Sequence, residues 1–276
     1  MDKKTIVLTG AAGVLCSTLA EAMAQDGHNI AILDLKKDAA DSIAKKIKDN
    51  GGTAIGVEAD VLKKESLLKA KKEVNDAYGP CDILINGAGG NHPLGTTSNT
   101  HLTEADLKND AEGFKTFFDL DSDGIQFVFN LNFIGTLLPT QVFAQDMVER
   151  TGCSILNISS MNAFTPLTKI PAYSGAKAAV SNFTQWLAVH FAKVGIRVNA
   201  LAPGFFLTDQ NRALLNDAEG NLTDRGNTII DHTPMGRFGE PEDLIGTTRW
   251  LCGDGAAFVT GIIVPIDGGF SAFSGV

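Results

Sequence analysis

The chain has 276 residues and is short of the features that mark several classes of protein. It carries 23 Lys and Arg against 32 Asp and Glu, a formal net charge of −9. A phosphate backbone needs a basic surface to neutralise it, so nucleic acid is not an expected partner. Small anions are a different matter, because one local Lys or Arg can hold them. The four cysteines, Cys16, Cys81, Cys153 and Cys252, form no C-x-x-C pair. Their scatter argues against a zinc site and against a disulfide framework, and fits small core residues in a reducing cytoplasm. The five histidines show no metal spacing, and no metal is expected. No apolar run reaches the length of a membrane span, and no signal-peptide pattern precedes the first strand-like run, so neither a membrane nor export is expected. There is no internal repeat and no low-complexity linker. Tyrosine is scarce, with only two in the chain, which gives weight to where each one falls.

What is present is a regular alternation. Apolar runs read as strands: "TIVLTG", "NIAILDL", "TAIGVEADV", "CDILINGAG", "CSILNISS", "IRVNALAPG" and "GIIVPIDGG". Between them, stretches such as "STLAEAMAQDG" and "ADSIAKKIKDNG" have helical spacing and end in Gly. Strands apolar throughout, separated by helices, predict an α/β doubly wound fold with a seven-stranded parallel sheet covered on both faces. The whole chain, 1–276, reads as one domain of Rossmann type. Its ligands belong beyond the carboxyl ends of the strands. Two long interruptions, about 90–124 and 205–240, are the expected substrate loops.

The first strand runs into "TGAAGVLCS". Gly10 and Gly13 allow a tight turn and let backbone N–H groups of the following residues, Val14 and Leu15, approach a pyrophosphate at a helix N-terminus. A third glycine is usual three residues after Gly13, and here Cys16 stands instead. In a first helical turn a small side chain is sterically allowed, so a working variant of the loop is expected. A thiol at a helix N-terminus is also a candidate for a lowered pKa and a redox role. Asp34 ends the second strand, where a carboxylate can bond the adenosine ribose hydroxyls and repel a 2′-phosphate. NAD is therefore expected over NADP, with Lys36 and Lys37 keeping some ambiguity.

"YSGAK" places Tyr173 and Lys177 on one helical face. Ser160 ends a strand upstream, and Asn132 lies in "LNFIG". Oxidising a secondary alcohol requires removal of its proton as hydride leaves carbon. Tyrosine is a poor base at its ordinary pKa near ~10, and a neighbouring ammonium favours phenolate. Ser160 can hold the reacting oxygen, as an oxyanion donor does.

Taken together, "TGAAGVLC", "ADV", "NGAG", "NLNFIG", "NISS…AYSGAK", "APGFFLT" and "DGGF" resemble the short-chain dehydrogenases/reductases in order and spacing, over essentially the whole chain. The glycine spacing T-G-x-x-G departs from that of simple dehydrogenases and is similar to that of sugar-nucleotide epimerases of the same superfamily. The resemblance implies roles by position. Tyr173 is the acid or base. Lys177 activates it and bonds the nicotinamide ribose. Ser160 holds the substrate, and the backbone of Asn132 holds a water in a proton relay. Asp60 and Val61 flank adenine, and Asn86, Gly87 and Ala88 pass near the adenosine ribose, although Asn86 also reads as a strand-end turn residue. Pro203, Gly204, Phe206 and Thr208 lie along the nicotinamide. It also implies a homotetramer.

The stretch from "SSMNAF" to "QWLAVH", with "GGNHP" and "GFFLT", resembles members of the family that act on sugar acids. The implied small-molecule substrate is a polyhydroxy acid. Candidate contacts are Asn91, His92, Asn162, Lys169 and Arg212, with Lys169 and Arg212 as cations for its carboxylate. A related polyol dehydrogenase, an epimerase and a non-catalytic NAD sensor remain alternatives. One motif points elsewhere: "DLDSDG" resembles the start of a calcium loop, but its twelfth position is Asn130 instead of Glu, so helix capping is expected.

Overall fold

The computed structural model describes residues 3–208, 215–217 and 219–275. Seven strands form one parallel sheet in the order β3-β2-β1-β4-β5-β6-β7. They are β1 (Thr5–Thr9), β2 (Asn29–Asp34), β3 (Thr53–Glu58), β4 (Ile83–Asn86), β5 (Ser154–Ile158), β6 (Arg197–Pro203) and β7 (Ile263–Ile266). All seven coincide with the expected runs. The helices are α1 (Val14–Gln25), α2 (Lys37–Asp49), α3 (Lys64–Tyr78), α4 (Ser122–Phe129), α5 (Gly135–Phe143), α6 (Pro171–Phe191), α7 (Asp224–Asp231) and α8 (Ile245–Cys252).

The continuous apolar strands have a direct cause. In β1, Ile6 and Leu8 join the core beneath α1, α2 and α8, while Val7 joins the core beneath α3, α5 and α6. Alternate side chains of one strand point to opposite faces, so both faces must be apolar when both are covered. β7 is the exception. It is half-buried and carries Pro265, as an edge strand tolerates.

The order of strands reverses between β1 and β4, which pair with Leu8 opposite Ile85. This is the topological switch point, and the crevice above it is where a ligand of such a sheet sits. The loop after β1 and "NGAG" after β4 both open there.

The helical segment Ser122–Met147 passes, by length and composition alone, the test for a membrane-crossing helix, which the sequence reading did not anticipate. Half of that window is buried inside the protein. Its apolar residues face α3, α6 and β4, which explains the hydropathy without a membrane. A π turn at Asn130–Ile134 interrupts the segment. Asp121 of "DLDSDG" caps α4 by accepting from Asp123 and Gly124 N–H, and Asp119 closes a capping box with Thr116. These carboxylates serve helix ends, as expected.

Candidate active site

The loop after β1 is a cradle shaped by two backbones in close approach. Gly10 has φ +60°, and a Cβ there would stand 2.7 Å from Ala88 Cα. Gly13 N–H bonds Gly10 carbonyl at 3.2 Å, closing the turn. α1 then starts on Gly13 with no side-chain cap and no acidic residue in its first turn. The first N–H groups, including those of Val14 and Leu15, are left to an anion, which the helix dipole also favours.

Cys16 fits this loop because of Gly87. The sulfur packs where a Gly87 Cβ would stand, 2.2 Å away if it existed. A glycine on the facing strand end thus makes the room that the missing loop glycine would have made. The thiol is buried, and burial pushes its pKa up to about 11, with Lys177 opposing and Asp34 reinforcing the shift. A low-pKa redox cysteine is not what the site contains.

Asp34 ends β2 beside the loop. Its carboxylate accepts from Ala12 N–H at 3.2 Å and Lys36 N–H at 3.1 Å, so it is fixed beside the loop. Asp60 is held by Leu62 N–H and by Lys63 at 3.0 Å each; these contacts outweigh burial and keep its pKa low. Val61 is buried against Gly135. Gly87 and Ala88 donate their N–H groups to Thr9 Oγ1, which ties the end of β4 to that of β1. The Asn86 side chain is engaged within the sheet. It is buried and turned inward, donating to Thr140 Oγ1 and Asn157 Oδ1. These bonds fit its reading as a strand-end residue. On the other side, Gly204 lets β6 approach Asp267, where a Cβ would come within 2.6 Å of that residue's Cα. Pro203 ends β6, the Phe206 ring is buried against Gly239, and Thr208 is half-buried.

Above the switch point stand the residues of the expected constellation. Ser160 follows β5 in extended conformation, and its Oγ accepts from Asn162 N–H at 3.3 Å. Tyr173 and Lys177 come from the first two turns of α6, which begins at Pro171, a residue suited to the first helical turn. Ser160 acts to lower the Tyr173 pKa, but burial dominates and holds the phenol above its ordinary value. Lys177 Nζ lies 5.6 Å from the Tyr173 ring centroid and donates to Ile158 carbonyl at 2.8 Å. Burial lowers its pKa to about 8. Asn132 is the centre of the π turn. Its side chain pairs twice with the backbone of Gly90 and once with Val128 carbonyl. Its own carbonyl accepts from Thr136 Oγ1 at 2.8 Å. A π turn inside an α-helix is a recurrent mark of functional sites.

The substrate candidates divide. Asn162 is buried beside Ser160. Lys169 is half-buried with φ +72°, a left-handed conformation uncommon for a side chain of its length, and its carbonyl accepts from Thr97 N–H at 2.9 Å. That bond draws the 90–124 loop over the start of α6. His92 caps the short turn Pro93–Gly95, accepting from Leu94 N–H, and its ring contacts Phe127. Asn91 is spent locally on Thr96. Arg212 lies outside the described residues.

Several positioning groups escaped the sequence reading. Ser159 Oγ bonds the Lys177 carbonyl at 3.1 Å, and Ile158 holds its ammonium through a backbone oxygen. A buried chain runs from Asn132 through Thr136, Thr140, Asn86 and Asn157 to Thr184 on α6. Polar residues spaced i, i+4 in "NFIGTLLPT" were the available signal.

Residues 4–219 match the family model for short chain dehydrogenases, and the chain belongs to that family. An uncharacterised oxidoreductase of Haemophilus influenzae is 58% identical over 277 residues, covering 100% of this chain and 96% of the relative. The oxidoreductase UxuB of Bacillus subtilis, also uncharacterised, is 49% identical, covering 99% and 96%. A solved structure from Haemophilus influenzae, provisionally named a D-mannonate oxidoreductase and holding NAD, has TM-score 0.95 and 57% identity, covering 100% of this chain and 98% of that one.

Proposed function

We propose that the protein is an NAD(H)-dependent oxidoreductase that interconverts D-mannonate and D-fructuronate. The observation that carries the reaction type is Ser160, Tyr173 and Lys177 assembled beside a dinucleotide cradle whose adenosine end is a fixed Asp34 carboxylate. The cradle fits NAD: a Cβ-free approach at Gly10, an uncapped helix N-terminus, and a carboxylate that a 2′-phosphate would meet unfavourably. The bound nicotinamide supplies the hydride acceptor or donor. Ser160 holds the reacting oxygen. Tyr173 removes the hydroxyl proton in oxidation and returns it in reduction. The Lys177 ammonium stabilises the phenolate that oxidation requires and lowers its pKa from the buried resting value. The Asn132 backbone and the buried threonine chain hold α4–α5 in register with α6. Two supports favour the sugar acid. One is the provisional name of the Haemophilus structure. The other is Lys169, a half-buried lysine in a left-handed conformation four residues before Tyr173.

The rest of the reading is a cytoplasmic homotetramer. Four free, buried cysteines support the compartment. Exposed Trp186 and Val189, with the stacked Phe183–Trp186–His190 rings on α6, support an apolar face for a second copy. The test is NADH oxidation by D-fructuronate, with 5-keto-gluconate and NADPH in parallel. Rapid oxidation with fructuronate and NADH is expected. A clear preference for another keto acid would keep the mechanism and replace the substrate.

A further inference from the structure

Asn162 sits in the short turn Met161–Ala163, which follows Ser160 and packs on α6. It is 4% exposed, and its amide oxygen is buried without a hydrogen-bond partner among the described residues. Three other buried asparagines near the sheet are used fully. Asn132, Asn157 and Asn199 each pair both ends of the amide. Asn86 leaves its oxygen unpaired, but two bonds from its nitrogen pin it. A buried amide without its hydrogen bonds is unfavourable, and interiors rarely keep one. The position of this one is specific. Its backbone N–H is bonded to the oxygen that holds the reacting group.

We propose that Asn162 is a specificity-determining residue that recognises a hydroxyl on the carbon next to the reacting carbonyl. The site then selects α-hydroxy ketones in reduction and vicinal diols in oxidation. An amide carries one donor end and one acceptor end, which is what a hydroxyl can satisfy from both sides. An oxygen on the neighbouring carbon falls about one hydrogen-bond length from the reacting oxygen on Ser160. The inference rests on Ser160 holding that oxygen, as in the proposed function, and does not require the substrate to be fructuronate.

The test compares acetoin with 2-butanone, which lacks only the hydroxyl, and adds D-fructuronate and 5-keto-gluconate. Wild type is expected to favour acetoin over 2-butanone in kcat/KM by about tenfold or more, as sites built to bond a hydroxyl do. Asn162→Leu should abolish that preference and lower kcat/KM for the keto acid by about tenfold or more, with NADH affinity unchanged. Its melting temperature should hold or rise, because an unpaired buried polar group has been removed. Asn162→Ala reads the same ratio if the Leu variant does not fold. A ratio that survives substitution, a wild type with no preference, or a wild type inert to every hydroxy ketone overturns the inference. If fructuronate is inert while another hydroxy ketone is reduced in an Asn162-dependent way, the inference stands and the proposed substrate falls.

Discussion

Gly87→Ala tests the packing that makes Cys16 acceptable in the cofactor loop. The new methyl would stand 2.2 Å from Cys16 Sγ and 2.9 Å from Thr9 carbonyl. Real contacts of this kind are about 3.5–4.0 Å, so strand end and helix must separate by more than an ångström. Overpacking of that order costs about 1–3 kcal/mol. Because the carbonyl is backbone, the upper half of that range is expected. Cys16→Gly alone removes a buried sulfur and adds a helical glycine, and should cost about 1–2 kcal/mol. In the double variant the sulfur clash is gone and only the carbonyl contact remains. The two substitutions should therefore couple by about 1 kcal/mol or more, the double variant being less destabilised than the sum. Denaturant unfolding of the four proteins measures this, and NADH titration should follow the same order, since Gly87 adjoins the cradle. Additive losses would refute the reasoning, as would a Gly87→Ala protein of wild-type stability. Either result would mean that Cys16 is accommodated by some other movement of α1.

Other expectations follow from the site. Tyr173→Phe should lower turnover by about 10²- to 10⁴-fold while NADH binds within about twofold of wild type, measured by steady-state kinetics and fluorescence titration. Asp34→Ala should raise the KM for NADH about tenfold or more and lower that for NADPH, because a charged acceptor is lost beside Lys36; an unchanged ratio of the two constants would remove Asp34 from cofactor selection. Lys177 gives a pH signature in the cofactor-free protein. Unfolded, it keeps its proton up to its ordinary pKa of 10.5, whereas folded it releases it near 8. Between those values the unfolded state binds more protons, so this group makes stability rise with pH, by at most about 3 kcal/mol. The buried thiols act oppositely, since Cys16 is raised to about 11. The increment is therefore read as wild type minus Lys177→Met in unfolding at pH 7.5 and pH 10; a difference that falls with pH would contradict the burial of a neutral-tending lysine.

Much of this protein was legible as a string of residues, and for a physical reason. A strand buried on both faces must be apolar at most positions, so β1, β2, β4, β5 and β6 announced themselves, and the helices between them implied the parallel order. Gly10 is demanded locally by a positive φ. Tyr173 and Lys177 share a helical face by spacing alone, and Asp34 ends its strand. These are properties of short segments, and short segments are what sequence displays. Contacts between segments were decided only by the tertiary structure. That Gly87 makes room for Cys16, that Asn86 turns inward to Thr140 and Asn157, and that Thr97 holds the strained carbonyl of Lys169 each depend on residues far apart in the chain. The reactivity of the groups was decided the same way. A thiol at a helix N-terminus reads as acidic from its neighbours in sequence, yet burial raises it to about 11, and burial takes the Lys177 ammonium down to about 8. Desolvation is set by what packs around a group, and the chain acquires those neighbours only when it folds.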